Sequence, residues 1–123
     1  MKKQMTRVSR SADCGNSPKN RLAEDIAVAL EVRDVDFLST ILDLNAVWNY
    51  VGGAATSAEA ILRRARVMDL PTSLAIDRVM SHGKVGAVNG TAGQGKDAQR
   101  FCHVIEFTSV KCNRIARIES YSG

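Results

Sequence analysis

The sequence predicts an α+β fold, in which a few helices pack beside a mainly antiparallel sheet. Two observations predict it. Helical patterns are confined to the first 70 residues, and everything after Pro71 alternates as strands. The breaks between these later strands are so short that they can join only antiparallel neighbours. An order of helix, helix, strand, helix and then a four-stranded meander is typical of the α+β class.

The stretch NSPKNRLAEDIAVALEVRD predicts the first helix. Asn16 or Ser17 can cap its start, and Pro18 suits the first helical position because a proline there loses no hydrogen bond. Apolar residues recur along it at helical spacing, so one face is expected to be buried. These residues are Leu22, Ala23, Ile26, Ala27 and Leu30.

Two further helices and one strand are predicted before Pro71. Asp34 caps a short helix, VDFLSTIL, whose inward residues are expected to be Phe37, Leu38, Ile41 and Leu42. The β-branched and aromatic residues of AVWNYV then predict a strand that ends at Gly52-Gly53. Thr56 and Glu59 have the spacing of a capping box for the third helix, SAEAILRRARVM.

Four strands follow, predicted over roughly 72–82, 84–92, 99–109 and 113–122. The stretch GTAGQGKD covers the end of the second strand and the break after it, and it matches the phosphate-loop spacing G-x-x-x-x-G-K. A working phosphate loop opens a helix and continues with Ser or Thr, whereas here Asp97 follows and both flanks alternate as strands. The glycines therefore predict a β-hairpin turn rather than a nucleotide site.

Composition favours an ordinary globular domain without a membrane segment. No apolar run approaches the roughly 20 residues that span a bilayer, and no apolar segment follows the basic N-terminus, so a cytoplasmic location is expected. The net charge is +4, and the basic excess lies within residues 1–21. We therefore expect residues 1–15 to be a disordered basic tail and residues 16–123 to be a single domain. Charge confined to a tail disfavours nucleic acid as a partner.

The three cysteines, Cys14, Cys102 and Cys112, show no C-x-x-C spacing. Neither a disulfide framework nor a zinc site is expected from them. Cys102 alternates with apolar strand residues, so it is expected to be a small buried side chain. The two histidines are far apart in the sequence, and no metal site is predicted.

The order of elements and several phrases resemble the nuclear transport factor 2-like superfamily, in particular its SnoaL-like branch. The resemblance covers about residues 17–122. Its matching phrases are RDVDFLSTILDLNAVWNYVGG, SAEAILRRA, SHGKVGAVNGTA and FCHVIEFTSVKCNRIARIESY. It implies a strongly curved sheet that wraps around the helices as a cone, often with an apolar pocket at the open end. It also implies a homodimer formed through the outer face of the sheet.

Functions within that superfamily range over ketosteroid isomerases, polyketide cyclases, epoxide hydrolases and dehydratases, so the fold does not choose the function. Ketosteroid isomerases hold their carboxylate base near the first strand of the sheet, but AVWNYVGGAAT contains no acidic residue. That activity is therefore not carried over. SnoaL-like cyclases use an acidic residue on a late strand, for which the candidates here are Glu106 and Glu119.

His103 is the favoured acid–base residue, since an imidazole titrates near neutrality and its strand neighbours are apolar. The alternative is a structural histidine. Simple alternation places Phe101, His103, Ile105 and Phe107 on one face of their strand and Glu106 on the other. Glu119 and Arg117 share a face of the last strand, where they could instead pair with charges on an exposed sheet surface.

The ligand-binding candidates are mostly aromatic, because such rings can both pack against a ligand and hydrogen-bond to it. They are Trp48, Tyr50, Asn89, Phe101 and Tyr121. The expected function is binding of an apolar carbonyl-type ligand, possible reactions being isomerisation, cyclisation or hydration by acid–base chemistry without a cofactor. The alternative is a non-catalytic, dimeric module for ligand binding or protein interaction.

Overall fold

The structure, a computed structural model, describes residues 6–12, 17–111 and 113–123. Its helices are α1 (Pro18–Val32), α2 (Val35–Ile41) and α3 (Ala58–Val67). Its strands are β1 (Arg7–Ser9), β2 (Leu42–Tyr50), β3 (Gly53–Ala55), β4 (Ser73–His82), β5 (Val85–Gln94), β6 (Asp97–Phe107) and β7 (Ile115–Ser122). None of the helices in these ranges is long and apolar enough to cross a membrane.

The described strands form one sheet in the order β1-β4-β5-β6-β7-β2-β3. Strands β4 to β7 are the predicted antiparallel meander. Strand β2 joins the far side of β7 in parallel, and the short β3, which was not predicted, folds back on β2. The sheet is curved and does not close, which confirms the predicted α+β class with a mainly antiparallel sheet.

The core lies between the helices and the concave face of the sheet. Helix α1 packs against β4 and β5, and α3 packs against β2. Ile26 and Leu30 of α1 are fully buried, as their helical spacing predicted. From the sheet, Val88, Ile105 and Ile118 meet them at successive strands. Burial of this apolar surface is the main term that stabilises the fold.

Side-chain caps define where the three helices begin. Ser17 Oγ accepts the Asn20 N–H at 3.2 Å, and Asp34 Oδ1 accepts the Phe37 N–H at 3.1 Å. The prediction of Thr56 as the third cap is wrong, because Ser57 directly precedes the first helical residue and its Oγ accepts the Ala60 N–H at 3.0 Å. A cap must stand at that position for its oxygen to reach the free N–H groups of the first turn.

Glycines open the two tight hairpins of the meander. Gly83 and Gly95 have φ angles of 58° and 62°, each at the first position of a two-residue loop. Positive φ at that position is typical of a type II′ turn, which matches the twist of the flanking strands. The phosphate-loop-like stretch is thus a hairpin joining β5 to β6, as predicted.

A bulge interrupts the alternation of β7. The register between β6 and β7 shifts between Glu106 and Phe107, and both Ile115 and Ile118 are buried. Strict alternation had placed these two isoleucines on opposite faces. A bulge adds one residue to one strand, so the side chains beyond it change face. Ser120 follows Ile118 by two residues and therefore shares its concave face.

The expected disordered tail is wrong for residues 6–12. Strand β1 lies parallel to β4, and the segment after it is bound to α1. Arg10 contacts Glu24 at 3.1 Å and Asp25 at 2.6 Å, and the Ser11 N–H donates to Glu24 at 2.8 Å. Glu24 is only 1% exposed, so its carboxylate needs these partners. The rest of the expected tail lies outside the described residues.

Replacing Arg10 by alanine is expected to destabilise the protein by about 1–2 kcal/mol, because the buried Glu24 carboxylate loses a charged donor. Burial lowers the pKa of Arg10, but the hydrogen bonds to Asp25 and Glu24 outweigh it and raise that pKa overall. Urea unfolding measures the change. The matched control is Lys84→Ala, which removes a 3.6 Å surface pair with Glu106 and should cost less than about 1 kcal/mol. Equal effects would contradict the role given to Arg10.

Candidate functional site

A cavity of about 170 Å³ lies where the ends of α1, β2, β6 and β7 meet α3. Aromatic rings form part of its wall, beside the apolar side chains of Val51, Met68 and Ala92. Trp48 and Tyr50 of β2 pack edge to face with ring centres 5.7 Å apart, and Phe101 lies 5.2 Å from the ring of His103. The remaining wall carries polar and charged side chains. These are Glu31, Arg33, Arg64, Gln99, His103, Ser120 and Ser122.

Four of the five predicted ligand-binding residues, all of them aromatic, line this cavity: Trp48, Tyr50, Phe101 and Tyr121. Asn89 does not, since it lies on the opposite face of the sheet, paired in register with Cys102. Its inward neighbours along β5 are Val88 and Gly90, both buried. Cys102 shares that outer face and is only half-buried, so the expectation that it is a core side chain is wrong.

Of the three acid–base candidates, the structure brings only His103 to the cavity. Glu106 lies on the outer face and pairs with Lys84 at 3.6 Å. Glu119, also on that face, lies 3.7 Å from Arg117 of its own strand. Neither carboxylate lines the cavity. The alternation that separated Glu106 from His103 in the sequence is thus present in the structure.

His103 belongs to a chain of hydrogen bonds that runs across the cavity wall. It is 3% exposed, and both ring nitrogens are engaged. Nε2 lies 2.7 Å from Glu31 Oε2, and Nδ1 lies 2.6 Å from Ser120 Oγ. The indole N–H of Trp48 donates to the same Ser120 oxygen at 2.8 Å. Helix α1, the neighbouring strands β6 and β7 and the parallel strand β2 thus contribute one residue each to this chain.

Donor counting assigns the protons in this chain. The Trp48 N–H can only donate, so Ser120 Oγ accepts it and has one O–H left to give. In the arrangement that gives this O–H a partner, it donates to Nδ1 of a neutral His103, and the ring proton is on Nε2. Nε2–H then donates to a Glu31 carboxylate, which can only accept. One tautomer therefore satisfies every member, with neutral imidazole and ionised carboxylate.

Glu31 and Ser120 were not predicted from the sequence, although each has a local signal. Glu31 continues the row of Ala23 and Ala27 at four-residue spacing, and both alanines are fully buried. The Glu31 side chain is 15% exposed, so it lies at the boundary between the core and the cavity. Ser120 is placed on the inner face with Ile118 by the alternation of β7 after its bulge. Neither signal identifies His103 as the shared partner, because residues 31 and 103 meet only in the folded chain.

Two arginines complete the polar wall. The guanidinium of Arg64 lies 3.4 Å from the ring centre of Tyr50 and 5.1 Å from that of Trp48. Arg33 is the left-handed cap of α1, with φ of 62°, and it donates to the Leu30 carbonyl. Burial lowers the pKa of Arg33, with Arg64 adding to this effect and Glu31 and Asp69 opposing it. The two cations and the Glu31 carboxylate therefore act on one small volume.

No set of three or more histidine, cysteine, aspartate or glutamate side chains within the described ranges is grouped so that it could hold a metal ion. Cys14 and Cys112 lie outside those ranges. The chemistry that the cavity presents is therefore that of a histidine–carboxylate pair, two guanidinium groups and aromatic walls.

Comparison of the sequence with known protein families finds no match, and neither does comparison with curated proteins. Solved structures do match. A nuclear transport factor 2-like protein of unknown function from Burkholderia xenovorans is 16% identical, with 85% of this chain and 83% of that chain covered and a TM-score of 0.71.

Two other similar structures carry functional names. A candidate ketosteroid isomerase from Kribbella flavida is 15% identical, with coverage of 85% and 76% and a TM-score of 0.72. A candidate isomerase of the SnoaL-like family from Agrobacterium tumefaciens is 9% identical, with coverage of 85% and 97% and a TM-score of 0.68. Sequence identity this low supports a shared fold but does not show a shared activity. The chain therefore has the nuclear transport factor 2-like fold, as its order of helices and strands predicted.

Proposed function

We propose that this protein binds a small carbonyl compound in the cavity and moves a proton at the carbon next to the carbonyl, without a cofactor. The observation that supports this is the hydrogen-bonded Glu31–His103–Ser120 chain in the cavity wall. General acid–base catalysis requires a proton acceptor held in a fixed position beside the substrate. The chain supplies such an acceptor on a rigid helix and two strands.

Glu31 is the residue to which we assign the proton transfer. His103 uses both ring nitrogens within the chain, so a ligand could reach one only by displacing Glu31 or Ser120. The second carboxylate oxygen of Glu31, Oε1, has no hydrogen-bond partner among residues 6–12, 17–111 and 113–123. In the proposed step, the substrate C–H bond breaks, an O–H bond forms on Glu31 and the electron pair passes to the carbonyl as an enolate.

The remaining members of the chain position this carboxylate. The Nε2–H of His103 fixes Oε2, and Ser120 fixes the ring by donating to Nδ1. Once Glu31 has taken the proton it is a carboxylic acid, and with a substrate that carries a β,γ double bond it can return the proton to the γ carbon of the dienolate. Tyr50 lines the cavity on the same face of β2 as Trp48, and we assign its hydroxyl as the donor to the enolate oxygen. The proposed reaction is therefore an isomerisation or a related cyclisation.

Two further observations support an apolar ligand body of modest size. The rings of Trp48, Tyr50 and Phe101 form one wall of the cavity, and its volume of about 170 Å³ suits a single ring. Similar structures include candidate isomerases and a candidate polyketide cyclase from Sinorhizobium meliloti, which is 20% identical. These names agree with carbonyl chemistry in such a cavity.

Deuterium exchange tests the proposal without knowledge of the natural substrate. Cyclohexanone and 4-oxocyclohexanecarboxylate are incubated with the protein in D₂O, and loss of the proton signals beside the carbonyl is followed by NMR. We expect the protein to accelerate exchange of at least one of these compounds above the buffer rate. If the purified, folded protein accelerates neither, proton abstraction by Glu31 is rejected for single-ring ketones, which are the class that the cavity fits.

The outer face of the sheet favours a second proposal, a homodimer, which the non-catalytic alternative also requires. Met80, Ala87 and Val104 lie side by side across β4, β5 and β6, and Met80 is 63% exposed. Contiguous apolar side chains on an exposed sheet face mark an interaction surface. Because the row belongs to a sheet that can meet its own copy face to face, the proposed partner is a second chain.

Ala87→Lys is expected to convert a dimer into a monomer, because the register partners of Ala87, Met80 and Val104, offer a lysine ammonium buried in the interface no counter-charge. Size-exclusion chromatography with light scattering measures the mass. The matched control is Thr91→Lys, which lies on the same face of β5 but opposite Arg100, outside the apolar row. A wild-type protein that is monomeric at high micromolar concentration would contradict the dimer.

A further inference from the structure

We infer that the ligand of this cavity is a small organic anion, a carboxylate on a single-ring body, and that Arg64 is the residue that binds its charge. This inference rests on the proposed function, since it names the substrate class of the same cavity. The observations behind it are the positions of Arg33 and Arg64 in the cavity wall and the buried Nε of each, which has no hydrogen-bond partner in the described ranges.

Arg64 presents a guanidinium that the protein itself leaves without an anion. It makes no hydrogen bond or ion pair with any residue in the part of the chain that the structure describes, and its Nε is buried there without a partner. Its contacts are instead with π faces, 3.4 Å from the centre of Tyr50 and 5.1 Å from that of Trp48. Such stacking holds the planar fork in place and leaves its N–H edge free to meet a carboxylate.

The charges in the wall leave the cavity with an excess of one positive charge. Arg33 and Arg64 are cations, Glu31 is the carboxylate, and donor counting makes His103 neutral. The Glu31 carboxylate already pairs with His103 through Oε2. Arg33 Nε, like Arg64 Nε, is buried without a hydrogen-bond partner in the described ranges. A half-buried guanidinium without a counter-charge is costly, so a bound monoanion would stabilise this arrangement.

The adjoining surface restricts where the anion can lie. A second cavity of about 510 Å³ shares Glu31 and Arg33 with the first, but Asp69 and Asp97 are in its wall. Those carboxylates repel an anion, and Asp69, like Glu31, opposes the lowering of the Arg33 pKa by burial. The anion is therefore expected on the Arg64 side of the first cavity, beside Tyr50, with the ring extending toward Phe101 and His103.

The volume sets the size of the ligand body. About 170 Å³ is close to the roughly 150 Å³ that holds one benzene ring in an engineered protein cavity and well below the 300–1,000 Å³ of drug-sized sites. A ligand with one ring and one carboxylate fits these limits.

Binding of benzoate and of its neutral analogue benzamide tests the inference by titration calorimetry in low salt. The two probes have nearly the same shape, and neither can undergo the proposed proton transfer. We expect benzoate to bind about ten- to hundredfold more tightly than benzamide, as a charge-assisted, two-point hydrogen bond to arginine would give. Equal affinities, or no measurable binding of benzoate at millimolar concentration, would overturn the inference.

Variants then assign the effect to Arg64. Arg64→Gln should remove the preference for benzoate. Arg63→Gln should keep it, because Arg63 is 68% exposed on the same helix and pairs with Glu59 at 2.8 Å. A benzoate preference that survives in a folded Arg64→Gln protein overturns the assignment. If that variant does not fold, the ratio of benzoate to benzamide affinity in the wild type, and its loss at high salt, still decide whether the cavity binds anions.

The same measurements separate this inference from the proposed function. Preferred binding of benzoate without deuterium exchange of 4-oxocyclohexanecarboxylate supports the anion site and rejects proton transfer. Exchange of cyclohexanone without any preference for benzoate supports proton transfer and rejects the anion site. Faster exchange of 4-oxocyclohexanecarboxylate than of cyclohexanone, lost in Arg64→Gln, supports both.

Discussion

Replacing Glu31 by glutamine is expected to slow the deuterium exchange of a bound ketone by about 10²- to 10⁴-fold, the usual contribution of a general base. Glutamine has nearly the same shape as glutamate, but its amide cannot take up the proton that the C–H bond releases. The amide can still meet His103, so the fold should be retained. Thermal unfolding of the variant checks that the loss is chemical rather than structural.

Glu106→Gln is the matched control, because it removes a carboxylate from the same protein at a position where the side chain pairs with Lys84 outside the cavity. Its exchange rate should equal that of the wild type. Loss of exchange in Glu106→Gln but not in Glu31→Gln would reject the assignment of Glu31. It would return the base to Glu106, one of the two late-strand carboxylates that the family resemblance offered as candidates.

The positioning role of Ser120 can be tested by the protonation of the two His103 ring nitrogens, which a purely structural side chain would not affect. With Ser120→Ala, Nδ1 of His103 loses its donor, and the ring can then carry its proton on either nitrogen. Nitrogen NMR of the wild type should show Nε2 protonated and Nδ1 unprotonated. A protonated Nδ1 in a neutral ring would contradict the order of donors and thereby the positioning of Glu31.

Gly90→Ala is expected to destabilise the protein by about 3 kcal/mol, at the upper end of the usual cost of overpacking. A Cβ at this position would overlap the Ala75 carbonyl oxygen of the neighbouring strand and lie 2.9 Å from Phe101 Cζ. The carbonyl belongs to the ladder between β4 and β5, so it cannot move without breaking sheet hydrogen bonds. Phe101 is opposite Gly90 in the register and forms part of the cavity wall, so ligand binding should weaken as well.

Gly86→Ala is the control, because Gly86 lies on the same buried face of β5. Its added Cβ would lie 3.0 Å from the Ala23 side chain and 3.7 Å from the Met80 carbonyl, which the helix can accommodate by a small shift. We expect a cost of about 1 kcal/mol, which is at the low end for overpacking. Urea unfolding of both variants measures the difference, and a Gly90→Ala protein as stable as Gly86→Ala would contradict the close approach.

Local patterns were sufficient for most of the elements. The apolar row of α1, the caps Ser17 and Asp34 and the hairpin glycines each act within a few residues, so the sequence displays them directly. The structure differed from the predictions where two neighbouring residues could cap the same helix, or where a segment is held by a residue far away in the sequence. Ser57 is the cap that the sequence assigned to Thr56, and the segment after β1 is bound to the buried Glu24 of α1.

The site divides in the same way. Alternation along β6 placed Phe101 and His103 on one face and Glu106 on the other, and the aromatic pair of β2 was proposed as part of the wall. Asn89 was misplaced relative to the cavity, since its strand turns Val88 and Gly90 inward. Glu31, Ser120 and Arg64 were not predicted as site residues, because the residues near each of them in the sequence do not indicate which distant side chains it contacts.

The sequence by itself determined the α+β class, the order of the helices and strands and the grouping of Phe101 and His103 on one face of their strand, since these depend on periodicity and turn chemistry within short segments. Only the tertiary structure decided what His103 does. A hydrogen bond between residues 31 and 103 depends on the packing of α1 against the sheet and on the bulge in β7 that brings Ser120 to the other side of the ring. Such contacts form across long stretches of chain, so the carboxylate that we assign as the base became visible only once the chain was folded.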